Sequence, residues 1–234
     1  MALRAILFDA TETLFRVRGS VGGAYASVAA RHGLVVPADE LEARFRTALR
    51  RMPPLSFPGA RADEIPQREY AWWRHIAATA FAGYRVRDFE AFFRDLFDHF
   101  ADAAAWELFP DTQPALAALK ARGLRLGIVS NFDGRLTRIC EGLRIATLFE
   151  TLVMSGRVGY AKPDPRIFAV ALARLGVTAE QAAHVGDSEH EDISGARAAG
   201  LRALLIQRNG PQAGTHERIS DLRELVAWCD AAGP

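Results

Sequence analysis

The stretch Ala5-Ile6-Leu7-Phe8-Asp9-Ala10-Thr11-Glu12-Thr13-Leu14-Phe15 decides how this chain is read. An unbroken apolar run leads straight into an acid, and the polar residues after it suit a turn. Strands buried in a parallel sheet look like this, continuous rather than alternating, because helices cover both faces. In an open parallel sheet, ligands bind beyond the carboxyl ends of the strands. Asp9 therefore stands where chemistry is expected, although an aspartate there also serves as an ordinary turn or cap residue.

Outward from this run, similar apolar segments recur at 124–129, 151–154, 183–186 and 201–206, and each predicts another buried strand. Helical patterns separate the later ones. Residues 114–122 stop at Gly123, and residues 192–199 stop at Gly200. Residues 165–175 begin at a capping Asp164 with Pro165 in the first turn and stop at Gly176. Repeated strand–helix units predict an α/β fold, a doubly wound, Rossmann-like parallel sheet. Residues 16–109 break the rhythm. They show no clear strand and read as helices at about 23–32, 38–50, 67–81 and 87–102, with a Pro/Gly-rich stretch at 52–59. The expected organisation is a helical cap, 16–109, inserted into a discontinuous core made of 1–15 and 110–234.

Composition narrows the function classes. With 234 residues, half of them hydrophobic, the chain can build one sizeable core plus a smaller insert. A net charge of +1 gives no global field for nucleic acid or an anionic membrane, so attraction for an anionic substrate must be local. The arginine-rich segment 44–51 reads as a solvated helix face. Cys140 and Cys229 lack any CxxC spacing and are expected to be reduced, buried thiols. The first apolar run is too short and too soon charged for a signal peptide, and no segment has the length of a membrane helix. The expectation is a cytoplasmic protein, monomer or homodimer, with no nucleic-acid or membrane partner.

Other strand ends carry reactive side chains. The second core strand ends in Ser130-Asn131. Lys162, in Ala161-Lys162-Pro163-Asp164-Pro165, precedes a helix start. The run His184-Val185-Gly186-Asp187-Ser188-Glu189-His190-Glu191-Asp192 ends another strand in acids. Each has a bland reading as a cap, a solvated lysine or a charged loop. Together, in order and on one predicted sheet edge, they fit displacement by a carboxylate nucleophile through a covalent intermediate. Asp9 and Asp187 can each offer Mg²⁺ one of the oxygens it prefers, with Asp192 as a further ligand or support. Lys162 and the Ser130 hydroxyl can hold the transferring group.

These segments resemble the haloacid dehalogenase superfamily, in the branch with a helical cap between its first two motifs. The resemblance spans nearly the whole chain and implies a Mg²⁺-dependent hydrolase, a phosphatase acting on a small phosphorylated metabolite. It implies Asp9 as nucleophile, Thr13 as the residue that orients it, Ser130 with Asn131 as phosphate contacts, Lys162 as the motif III lysine, and Asp187 and Asp192 as acidic metal-site residues. Thr11 is implied as a metal ligand through its main-chain carbonyl. The Trp72-Trp73 pair and Ser130-Asn131-Phe132-Asp133 narrow the likeness to one little-characterised group.

Two positions depart from the pattern. Phosphatases of the superfamily usually carry an acid/base aspartate where this chain has Thr11, and losing such a group typically costs about 10²–10⁴-fold. Glu12 stands where glycine is usual. It either substitutes as acid/base or points toward cap or solvent, and it denies the turn glycine's freedom, so a different local backbone is expected. The missing aspartate keeps two rivals open. One is a metal-free 2-haloacid dehalogenase, with Arg16, Arg18 or Arg44 at the halide. The other is a catalytically impaired binding protein. Tyr70, Trp72, Trp73 and Ile76 read as a core stripe on one helix, His184 as a packed core histidine, His190 as solvated, and 222–229 as a closing helix.

Overall fold

In the computed structural model, which describes residues 2–208 and 218–231, six parallel strands form the central sheet. These are β1 (Ala5–Phe8), β4 (Arg125–Ser130), β5 (Thr151–Met154), β6 (Ala182–Gly186), β7 (Arg202–Ile206) and β8 (Arg218–Ile219), in the order β5-β4-β1-β6-β7-β8. β1 lies between β4 and β6, with Phe8 beside Ile128 on one side and Val185 on the other. The chain winds outward from β1 through β4 to β5, then crosses to begin again at β6. The switch between the two directions therefore opens a crevice at the end of β1, where Asp9 stands.

Alternation along β1 explains its unbroken apolar sequence. Ile6 and Phe8 pack into one buried cluster with Leu116, Leu119 and Leu222, while Ala5 and Leu7 pack into another with Phe168, Ala171 and Leu175. The first cluster is roofed by α5 (Thr112–Ala121), α6 (Arg135–Gly142) and α10 (Leu222–Ala231), and the second by α8 (Pro165–Leu175) and the short α9 (Gly195–Ala198). The Asp164 side chain caps α8 by accepting from Arg166 N at 2.9 Å. Gly176 closes that helix at φ +59°. A further short helix, α7 (Ser155–Val158), follows β5 directly.

Between β1 and β4 lie α1 (Val21–Arg31), α2 (Ala38–Arg51), α3 (Ile65–Ala80) and α4 (Phe89–His99), which share their own core around Tyr25, Val28, Leu41, Ala77, Phe81, Phe92 and Phe93. The expectation of a strand-free segment needs correction. β2 (Phe15–Val17) and β3 (Trp106–Leu108) form an antiparallel ribbon, Phe15 opposite Leu108, where the chain enters and leaves these helices. Each strand has three residues, too few to show a period, and its partner lies about ninety positions away. The helix expected at 192–199 also differs. Residues Glu189–Ser194 form a π-helical turn that leads into α9, with Asp192 N and Ile193 N both donating to Ser188 O. Wide turns of this kind tend to occur at functional sites. Cys140 and Cys229 are free and buried. Among the described residues, no helix is long and apolar enough to cross a membrane.

Candidate active site

Asp9 is carried one residue past β1, where Asp9 N still donates to Val185 O at 2.9 Å. Ser130 ends the neighbouring β4, and its hydroxyl donates to the Asp9 carboxylate. Lys162 arrives from the loop before α8. Its ammonium donates to Asp9 Oδ1 at 2.5 Å and to Asp192 Oδ1 at 2.6 Å. Asp9, Lys162 and Asp192 are 6 %, 3 % and 1 % exposed, so these charges meet almost without water. One of the three ammonium N–H donors remains for a ligand.

Asn131 fixes the lysine. Its Oδ1 accepts from Lys162 N at 2.7 Å and its Nδ2 donates to Lys162 O at 3.0 Å. It also donates to Glu191. The carboxamide expected on a phosphate is therefore engaged with the lysine's own main chain. Asp192 is fixed with equal care: Oδ1 also meets His184 Nε2 at 2.9 Å, and Oδ2 accepts from Ser188 N at 3.0 Å. Gly186 makes this possible. A Cβ there would lie 2.1 Å from Asp192 Cγ, so only glycine lets the carboxylate fold back over the strand end. His184 shares that strand face by the two-residue period. It is fully buried against Phe168, as a core histidine should be, yet its ring also positions Asp192. The spacing of His184 from Gly186 was the available signal for that second role.

The electrostatics follow from crowding. Burial pushes Asp9 above the ordinary carboxylate range, Lys162 pulls it back, and the Asp192 charge pushes it up again. Asp187, open to solvent on one side, is pushed up to about 7, first by partial burial and then by the charges of Asp9 and Asp192. Burial acts on Asp192 in the same direction, but Lys162 and His184 outweigh it and hold that carboxyl below its usual range. Lys162 is raised, because the two carboxylates overcome its own burial. One oxygen each of Asp9, Asp187 and Asp192 lie within 4.8 Å of one another. Hard oxygen donors that repel each other suit a small divalent cation such as Mg²⁺.

Thr11, Glu12 and Thr13 sit differently. Glu12 adopts φ +58°, so the glutamate takes the left-handed backbone that glycine would supply, rather than changing the turn as expected. Its exposed carboxylate is raised by partial burial, and the charges that act on it are Arg16, Arg208 and Arg46. These arginines, not Asp9 or Lys162, are its electrostatic neighbours. The Thr13 hydroxyl is buried without a hydrogen-bond partner. Its carbonyl accepts from Arg208 Nη2 at 2.6 Å, and Arg208 also pairs with Asp111 at 2.9 Å. Arg208, unremarked in the sequence, thus ties the turn after Asp9 to the far end of the sheet. Thr11 is half-buried and makes an isolated bridge with Phe15.

The other named residues are held elsewhere. Arg16 pairs with Glu107, Arg18 donates to the carbonyls of Ala104 and Trp106, and Arg44 is bound to Glu40 and Ala82 O. The α3 stripe divides. Ile76 is buried and Tyr70 packs on Phe93, whereas the Trp72 indole donates to Pro53 O and the Trp73 indole to Asp133. His190 is exposed.

The family described as haloacid dehalogenase-like hydrolase matches residues 3–200. Haloacid dehalogenase-like hydrolase domain-containing protein 3 of Bos taurus is 35 % identical over 215 residues, 91 % of this chain and 84 % of that protein. It represents the group to which Trp72-Trp73 and Ser130-Asn131-Phe132-Asp133 pointed. A phosphoserine phosphatase of Thermus thermophilus is 37 % identical over 166 residues, 68 % of this chain and 64 % of that protein. The crystal structure of a phosphatase of this family from Thermococcus onnurineus superposes with a TM-score of 0.65 at 25 % identity, covering 95 % of this chain and 96 % of that one.

Proposed function

Because the chain belongs to the haloacid dehalogenase-like hydrolase family, we propose that it is a Mg²⁺-dependent phosphohydrolase in which Asp9 attacks a small phosphate monoester. The observation that carries this reading is the Lys162 ammonium held between Asp9 and Asp192, with Asp187 close enough to share a cation with both. Asp9, Asp187, the Thr11 carbonyl and the remaining lone pair of Asp192 would hold the metal. Bound there, Mg²⁺ offsets the repulsion between a carboxylate and an incoming phosphoryl group.

The chain's own groups do the rest. Lys162 and Ser130 hold the Asp9 carboxylate, and Lys162 occupies Oδ1, which leaves Oδ2 to attack phosphorus. The new Asp9–phosphorus bond forms as the ester P–O bond breaks, and the leaving alkoxide takes its proton from solvent water. The free ammonium N–H of Lys162 faces the transferring group's negative charge. Water then attacks the aspartyl phosphate, releases phosphate and restores Asp9. Thr11 supplies no carboxyl for either proton transfer, and the neighbours of Glu12 are arginines, so the hydrolytic step is slow. The helices between β2 and β3, within residues 16–109, act as the cap over a core formed by 1–15 and 110–234. A metal-free dehalogenase is disfavoured because three crowded acids would repel a haloacid's own carboxylate, while Arg16, Arg18 and Arg44 are engaged with other partners.

Beryllofluoride tests the proposal. With Mg²⁺, a stoichiometric adduct should form on the wild type and not on Asp9→Asn, and phosphate esters but not chloroacetate should be turned over. Equal beryllofluoride uptake by Asp9→Asn, or chloroacetate turnover without metal, sinks it.

A further inference from the structure

A pocket of about 70 Å³ lies between the helical layer and the loop after β4, and Val21, Tyr25, Phe45, Trp73, Phe132 and Arg135 are among the residues that line it. α1 gives the first two, α2 and α3 one aromatic ring each, and the sheet side supplies Phe132 and Arg135. Phe132 continues directly from Ser130 and Asn131, which hold Asp9 and Lys162. One short loop thus carries the nucleophile's partners and a wall of this pocket.

The lining offers no free charge. The Arg135 guanidinium is spent on Asp133, from Nε at 2.9 Å and from Nη2 at 2.6 Å, and its plane lies against the Trp73 and Phe97 rings. One polar group is left over. Tyr25 is 3 % exposed, and its hydroxyl makes no hydrogen bond among the described residues. That hydroxyl keeps some contact with the space of the pocket, and an occupant bearing an oxygen can accept from it.

We propose that this pocket receives the organic part of the substrate, an uncharged aliphatic group of about three or four carbons with one acceptor oxygen for Tyr25. The size follows from comparison with an apolar cavity of about 150 Å³ that holds benzene; this one is about half as large. An ammonium or a second carboxylate is excluded, because no counter-charge is free to meet it. Phosphoserine, which names the Thermus thermophilus relative, carries both. The inference rests on the phosphohydrolase reading for its biological role, but its test does not need turnover.

Alkylphosphonates are not hydrolysed and report binding alone. Calorimetric titration of the full chain with Mg²⁺ and methyl- to hexylphosphonate should give a Kd that falls about fourfold per added carbon up to about four carbons, then levels. Methoxyethylphosphonate should bind more tightly than butylphosphonate, and Tyr25→Phe should erase that preference. Val21→Phe, which fills the pocket, should make long and short phosphonates bind alike. A flat wild-type series, no binding of any phosphonate, or a slope that survives Val21→Phe overturns the proposal. A length-dependent series with no beryllofluoride adduct keeps the pocket and removes the catalysis, and the reverse result removes the pocket alone.

Discussion

Replacing Glu69 by glutamine should stabilise the protein above neutral pH and change little in acid. Glu69 projects from α3 and is 4 % exposed. It accepts from Gly134 N at 3.2 Å and pairs with Arg157 Nε at 3.0 Å. Glycines at the start of α6 and inside α7 leave room for this pair: a Cβ on Gly134 would lie 2.0 Å from the Arg157 guanidinium, and one on Gly156 2.8 Å from Glu69 Oε1. Burial first, and then the Asp133 charge, raise the carboxyl, and Arg157, the Gly134 N–H and Arg135 pull it part of the way back, which leaves it at about 7 against an ordinary 4.5. The folded protein therefore holds a proton that the unfolded chain releases between pH 4.5 and about 7. Stability falls across that window as pH rises, and the loss is complete above it. At about 1.36 kcal/mol per pH unit the full difference is about 3.4 kcal/mol. Arg157 is 38 % exposed, and water that reaches this pair also solvates part of the charged carboxylate, which lessens its burial penalty and brings the expected effect to about 2 kcal/mol. Glutamine mimics the protonated acid. Thermal melts of Glu69→Gln and wild type should differ by about 4–8 °C at pH 8.5 and by about a quarter of that at pH 5. Equal melting at pH 8.5, or a gain that does not vary with pH, would refute the assignment of a strained, charged Glu69.

Three further predictions address the site. Thr11→Asp should raise phosphate-ester turnover by about 10²–10³, measured as steady-state kcat, by restoring the missing proton donor. Gly186→Ala pushes a methyl into Asp192 and should weaken Mg²⁺ binding about 10–100-fold by calorimetry. Lys162→Met leaves Asp9 and Asp192 facing each other, and urea unfolding without metal should show a loss of about 3–5 kcal/mol, partly recovered with Mg²⁺.

The Asp133–Arg135 pair shows why such interfaces are hard to foresee. Both residues are buried, and nothing in the local sequence marks them as partners. Only the approach of α3 and α4 makes them a structural joint, with Trp73 donating to Asp133 and Arg135 lying 4.1 Å from the Phe97 ring centroid. The stripe at Tyr70, Trp72, Trp73 and Ile76 was visible as a helix face, but which tryptophan would turn toward the sheet was not.

Five core strands, the start and stop of α8, and the order of the motifs were legible because each depends on near neighbours. A strand buried on both faces must be apolar throughout, and a helix must begin at an acceptor and end where glycine permits a left-handed turn. Those rules act within a few residues, so a local reading captures them. The tertiary structure alone decided that β2 meets β3, that Asn131 spends its amide on the Lys162 main chain, that His184 supports Asp192, and that Glu12 faces arginines. Each is a contact between groups brought together by the fold. A side chain's direction and partner are set by which distant surface arrives beside it, and that surface is created only when the sheet and helices pack.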